Sequence, residues 1–139
     1  MFRYLNHRFH WNNISFQIPD GYYFDSDPEL PDKNTMWLVA PGRDFHISIN
    51  IVPRGGDTLA ALSDVIIEMI PDKCISPIKE ISVNGLHGHH ASYALARSRY
   101  YEIFLDFGRG MLNIVIWGSD DSVYDKTSTA IAALDLRSE

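Results

Sequence analysis

Long apolar runs are missing from this chain: no stretch approaches the roughly 18 consecutive apolar residues that a membrane-spanning helix requires. Cysteine is almost missing too. With Cys74 alone, no internal disulfide forms, which fits a reducing compartment. Basic side chains are scarce, 12 Lys and Arg against 18 Asp and Glu, for a net charge of −6. That balance argues against nucleic acid, whose phosphates are held by clustered cations, and fits a basic partner or plain solubility. No G-x-S-x-G nucleophile motif and no P-loop occur. The first residues carry Arg3, Asn6, His7, Arg8 and His10 and so lack the apolar core of a signal peptide, which makes the cytoplasm the expected location.

What is present is ordinary for a globular domain: 139 residues, 45% hydrophobic and 22% charged, enough for a single core without a structural metal. Alternation of apolar and polar residues marks strands. It is clear at Ile14–Ile18; Met36–Ala40 is instead a short continuous apolar run that reads as a buried strand; and Phe45, Ile47, Ile49 and Ile51 alternate with His46, Ser48 and Asn50. Pro41-Gly42-Arg43-Asp44 turns the second of these runs into the third. The stretch Ile75–Gly118 reads as three or four more strands in meander order. Its breaks fall at Asn84-Gly85, a two-residue hairpin signal, at Arg97-Ser98-Arg99 and at Gly108-Arg109-Gly110.

Two segments have helical spacing. Leu59, Leu62, Ile66, Met69 and Ile70 form one apolar stripe over Thr58–Ile70, with Asp57 or Thr58 as cap and Pro71 as stop. Val123, Thr127, Ala130, Ile131 and Leu134 form a second, behind Ser119 as cap with Asp120 and Asp121 at the positive end of the helix dipole. Leu136 closes the chain as a short strand or a packing residue. The expectation is an α+β domain over residues 1–139: a single antiparallel sheet of about six or seven strands in meander order, covered by two helices.

Several turns resemble those of the PsbP-like superfamily. Phe16-Gln17-Ile18-Pro19-Asp20-Gly21-Tyr22 is similar to that family's opening strand and corner, with Tyr22 where the family usually has tryptophan. Val83-Asn84-Gly85-Leu86-His87-Gly88 resembles its turn into a long hairpin, and Trp117-Gly118-Ser119 its approach to the closing helix. The superfamily includes the extrinsic PsbP protein of the plant oxygen-evolving complex, a Ran-binding import factor, and many small bacterial proteins. The resemblance implies a sheet sandwiched by helices and work done mainly by binding other proteins. Some bacterial members resemble chaperones for type VI secretion effectors. It implies no shared catalytic set.

Four constellations carry chemistry. His87 and His89 share a face of one strand at the spacing that presents two imidazoles to one metal, with His46 or Asp106 as a further ligand; the bland reading is two half-exposed residues beside a turn. Asp25, Asp27 and Glu29 have calcium-loop spacing but lack the turn glycine and the distal glutamate, which favours a solvated loop stiffened by Pro28 and Pro31. Cys74 beside Lys73 is a packing residue unless a histidine activates it. Arg54-Gly55-Gly56-Asp57 reads as a turn and a cap.

The aromatics are too numerous for one buried face. Tyr100 and Phe104 lie opposite Tyr101, Ile103, Leu105 and Phe107 on their strand, so either a helix covers them or an aromatic patch stays open. The functional expectation is a non-enzymatic domain that binds a protein or peptide and needs no cofactor, gripping an apolar segment with Tyr22, Tyr23, Phe24, Asp25, Asp27, Tyr100 and Phe104. The rivals are a metal- or small-molecule-binding protein using His87 and His89, and a structural module that forms a homodimer by pairing an edge strand.

Overall fold

The computed structural model describes residues 2–24, 34–69 and 74–138. The acidic run from Asp25 to Lys33, and with it the calcium reading, lies outside those residues.

Strands β1 (Arg3–Leu5), β2 (Arg8–Trp11) and β3 (Ile14–Phe16) open the chain. Two-residue turns join them: Asn6 and His7 both have positive φ, and so does Asn12. Strands β4 (Tyr23–Phe24), β5 (Thr35–Val39) and β6 (Phe45–Val52) follow, then helix α1 (Thr58–Met69). Next come β7 (Cys74–Ile75), β8 (Lys79–Val83), β9 (Leu86–Leu95), β10 (Ser98–Asp106) and β11 (Met111–Gly118). Helix α2 (Ser122–Leu134) and β12 (Arg137–Ser138) finish the fold.

The expectation of one meandering sheet is corrected. Among the described residues there are two sheets: an eight-stranded one in the order β4-β5-β6-β11-β10-β9-β7, with β8 also pairing β9, and a four-stranded one in the order β1-β2-β3-β12. Two meanders make the large sheet, and they join at β6–β11 because α1 carries the chain across to the far edge. The run read as a first strand of the large sheet is β3 of the small one. Every pairing is antiparallel.

The two faces of the large sheet have different covers. Ile47, Ile49, Ile103, Leu105, Leu112, Ile114 and Ile116 point toward α2 and the small sheet, and meet Phe9, Ile14, Phe16, Val123, Ile131 and Leu134 in the main core. On the opposite face Ala91, Tyr93, Phe104 and Met111 pack against Leu62 and Ile66 of α1.

The face expected for α2, Val123, Thr127, Ala130, Ile131 and Leu134, is the buried one. Its N-cap is Asp121 rather than Ser119 and makes no side-chain capping bond; Asp120, one residue earlier, accepts the Ser122 N–H at 2.8 Å. On α1, Asp57 caps by accepting the Leu59 N–H at 3.0 Å. The α1 stripe is narrower than its spacing suggests, because Leu59 stays exposed while Leu62 and Ile66 are buried.

The Asn84-Gly85 turn forms as expected, with φ of 50° and 83°. The turn after β9 centres on Ala96 and Arg97, so Ser98 and Arg99 belong to β10.

Candidate functional site

A groove of about 1130 Å³ opens between the small sheet, the segment leading to β4, and the end of α2. Strand parity builds its apolar wall. Tyr4 pairs with Phe9 and Phe9 with Phe16, so all three project from one face of the small sheet. Tyr4 and Phe9 rings lie 4.8 Å apart, and Phe9 meets Phe24 edge-on at 5.7 Å. Phe2, Ile18 and Pro19 complete the apolar lining; His7, Gln17 and Asp20 are polar. Tyr4 is 61% exposed and its neighbour Leu5 56%, a large apolar surface to leave in water.

The sequence-derived binding residues divide. Phe24 lines the groove. Tyr22 turns inward against Phe45, with ring centroids 6.0 Å apart, and its phenol is pushed up by burial and by Asp44. Tyr23 faces outward beneath the Arg43 guanidinium, 5.7 Å from its ring. Asp25 and Asp27 lie outside the described residues.

Tyr100 and Phe104 are where the helix-covered alternative places them. Phe104 is 5% exposed beneath α1, and Tyr100 stacks on Tyr93 at 5.1 Å. An open aromatic patch there is therefore corrected: α1 roofs it. Beside Phe104 the same helix covers Glu102, 4% exposed, which accepts hydrogen bonds from the Tyr93 hydroxyl at 2.6 Å and the Asn113 amide at 3.0 Å. Burial pushes its carboxyl above the usual glutamate range, while those two bonds pull the other way. Sequence reasoning did not single out this acid. The signal was its parity with Phe104, two positions along the same strand.

His87 and His89 do share a face, at a smaller cleft of about 350 Å³ over the start of α1. Cross-strand pairing sets His87 beside Asp106 and His89 beside Glu80. The His89 ring nitrogen Nδ1 is 2.7 Å from the Thr58 hydroxyl. His46 is elsewhere, stacked on Trp117 at 5.2 Å on the other side of β10 and β11. Among the described residues no three of His, Cys, Asp and Glu come together as a ligand set for a metal. His90 projects to the opposite face, where burial and then Lys79 and His89 lower its pKa. Among the described residues no helix is long and apolar enough to cross a membrane.

Two helices on antiparallel sheets, one helix per face, define an α+β protein with a PsbP-like fold. The chain is similar in structure to cyanobacterial PsbP (CyanoP) from Synechocystis, with a TM-score of 0.57 at 11% identity over 91% of this chain and 87% of that one. At that identity the likeness is one of fold. No protein-family model matches the chain, and no curated protein matches it in sequence.

Proposed function

We propose that this is a non-enzymatic domain that binds an apolar segment of another protein, chaperone-like, in the groove beside Tyr4, Phe9 and Phe24. The observation that carries the reading is the groove itself. Its volume is at the upper end of the range for ligand sites, and its walls are mostly aromatic and aliphatic with a few polar groups. The buried acid and the histidine pair lie elsewhere: Glu102 is sealed under α1, and the His87–His89 cleft lies against the opposite face of the large sheet, which leaves His7 and Asp20 as the ionisable groups of the groove besides the Tyr4 phenol.

The test is a binding titration with a fluorescein-labelled apolar peptide against the wild-type chain and Tyr4→Ser, a change at an exposed position that the fold tolerates. Saturable binding that weakens about tenfold in the variant supports the groove, since an aromatic anchor is worth on the order of that factor. Equal affinity in both proteins removes it.

A second reading rests on the cross-strand pairs His87–Asp106 and His89–Glu80 at the smaller cleft, which offer paired rather than clustered ligands to a small polar molecule or to a metal ion completed by water. Elemental analysis of the purified chain, followed by zinc titration, separates the two: stoichiometric metal lost in His87→Ala favours this one.

A further inference from the structure

We infer that helix α1 is a pH-sensitive cover: its seat on the large sheet loosens as Glu102 ionises beneath it, while the rest of the fold stays closed. The inference is independent of the groove, which lies beside the small sheet.

Strand register puts the acid under the helix. Glu102 pairs with Ala91 of β9 on one side and with Val115 of β11 on the other. Tyr100 and Phe104, two residues away in each direction along β10, share its face. Ala91 and Phe104 belong to the cluster that Leu62 and Ile66 of α1 complete. The carboxyl therefore sits in the layer that α1 closes.

What faces it does not balance a charge. From β9 comes the Tyr93 hydroxyl, its ring stacked on Tyr100 of β10, and from β11 the Asn113 amide. Ser48 and Asn50 of β6 lie one strand further on, paired with Val115 and Asn113. α1 contributes Leu62 and Ile66 from its buried side, and its Asp64 and Glu68 are exposed. No Lys, Arg or His is in this set. Two neutral donors replace water incompletely, so the charged form is held less well beneath the helix than in an open layer.

α1 is also held more loosely than α2. Among the described residues no ion pair reaches α1, whereas Lys126 of α2 pairs with Asp44 and the Tyr124 hydroxyl donates to the Tyr93 carbonyl at 2.9 Å. Leu59 and Ile67 of α1 face water. The one side-chain hydrogen bond from α1 to the sheet among those residues is at its first turn, where the Thr58 hydroxyl lies 2.7 Å from His89 Nδ1. An imidazole nitrogen either donates to a hydroxyl or accepts from it, so this bond survives titration of the ring and serves as the hinge. An element with few buried contacts opens at lower free energy than the core, so the loss of stability that follows ionisation of Glu102 falls first on α1.

Amide hydrogen exchange tests this, expressed as protection factors so that the intrinsic pH dependence of exchange cancels. Between about pH 5 and pH 9 the amides of residues 62–66 should lose about tenfold or more in protection relative to those of β6 and β11. Glu102→Gln, close in shape and unable to ionise, should abolish that relative loss. Tyr93→Phe, which takes one donor from the carboxylate, should steepen it. Equal profiles at α1 and β11 would mean that Glu102 acts on the whole fold and that no separate cover exists. A relative loss that persists in Glu102→Gln would assign it to another group, and a flat wild-type profile would remove the cover altogether.

Discussion

Tyr93 hands its phenolic hydrogen to Glu102 at 2.6 Å inside the layer between α1 and the large sheet, where both residues are almost wholly buried. Burial favours the neutral form of Glu102, while the hydrogen bonds it accepts from Tyr93 and Asn113 favour the carboxylate. The Tyr93 phenol is likewise raised, by burial first and by the neighbouring carboxylate second. Removing the hydroxyl in Tyr93→Phe leaves one carboxyl oxygen buried without its donor and should cost about 1–3 kcal/mol in urea unfolding.

The same acid sets a pH dependence. A carboxyl whose native pKa is raised contributes stability that is complete below its unfolded value. That contribution is lost as pH climbs through the native value. Glu102→Gln, which keeps an oxygen for Tyr93, should therefore gain on the wild type as pH rises above the unfolded glutamate value, about 4.3. A stability difference that stays constant as pH rises would show that Glu102 titrates as it does in the unfolded chain.

The opposite limb belongs to Asp135. The Arg137 hydrogen bond first, and Arg8 after it, hold its carboxyl below the usual aspartate range. Such a group contributes stability above its unfolded value and loses it as pH falls through the lowered native one. Arg8, itself buried, donates from Nη1 to Asp135 at 2.9 Å and from Nε to Ser15 at 3.1 Å, tying β2 and β3 to the end of α2. Asp135→Asn should flatten the acid side of the stability profile, and Arg8→Met should lower the urea midpoint at neutral pH. A midpoint unchanged in Arg8→Met would mean that the apolar contacts alone hold the small sheet in place.

Gly88 permits the close approach of β9 to β10. A Cβ built on it would lie 1.7 Å from the Phe104 carbonyl oxygen, a main-chain atom that cannot swing aside. Gly88→Ala should destabilise by about 3 kcal/mol or more, or prevent folding. Gly85→Ala meets open space at φ 83° and should cost only the left-handed penalty, about 1–2 kcal/mol. Similar midpoints for the two variants would contradict this.

Elements with a strong local code were legible in the sequence. The β6 alternation, the Asn84-Gly85 turn and the buried face of α2 follow from period and turn chemistry alone. The N-terminal hairpin was not read, because Arg3–Trp11 mixes charged, polar and aromatic residues. Its turns rest on Asn6 and His7, which reach positive φ without glycine. Missing that hairpin hid the second sheet and most of the groove: Phe24 was singled out, but Phe2, Tyr4 and Phe9 were not. Phe104 failed as a surface residue for a different reason. Parity shows that it faces away from the main core, yet only the placement of α1 decides whether that face is covered.

The central claim is that the groove beside β1 is where an apolar segment binds. The most direct measurement is an amide NMR titration of the chain with the apolar peptide. Saturating shift changes should be confined to residues 2–9 and 17–24 and be largest at Tyr4. Changes centred on His87, His89 and the start of α1, or none at all, would contradict it.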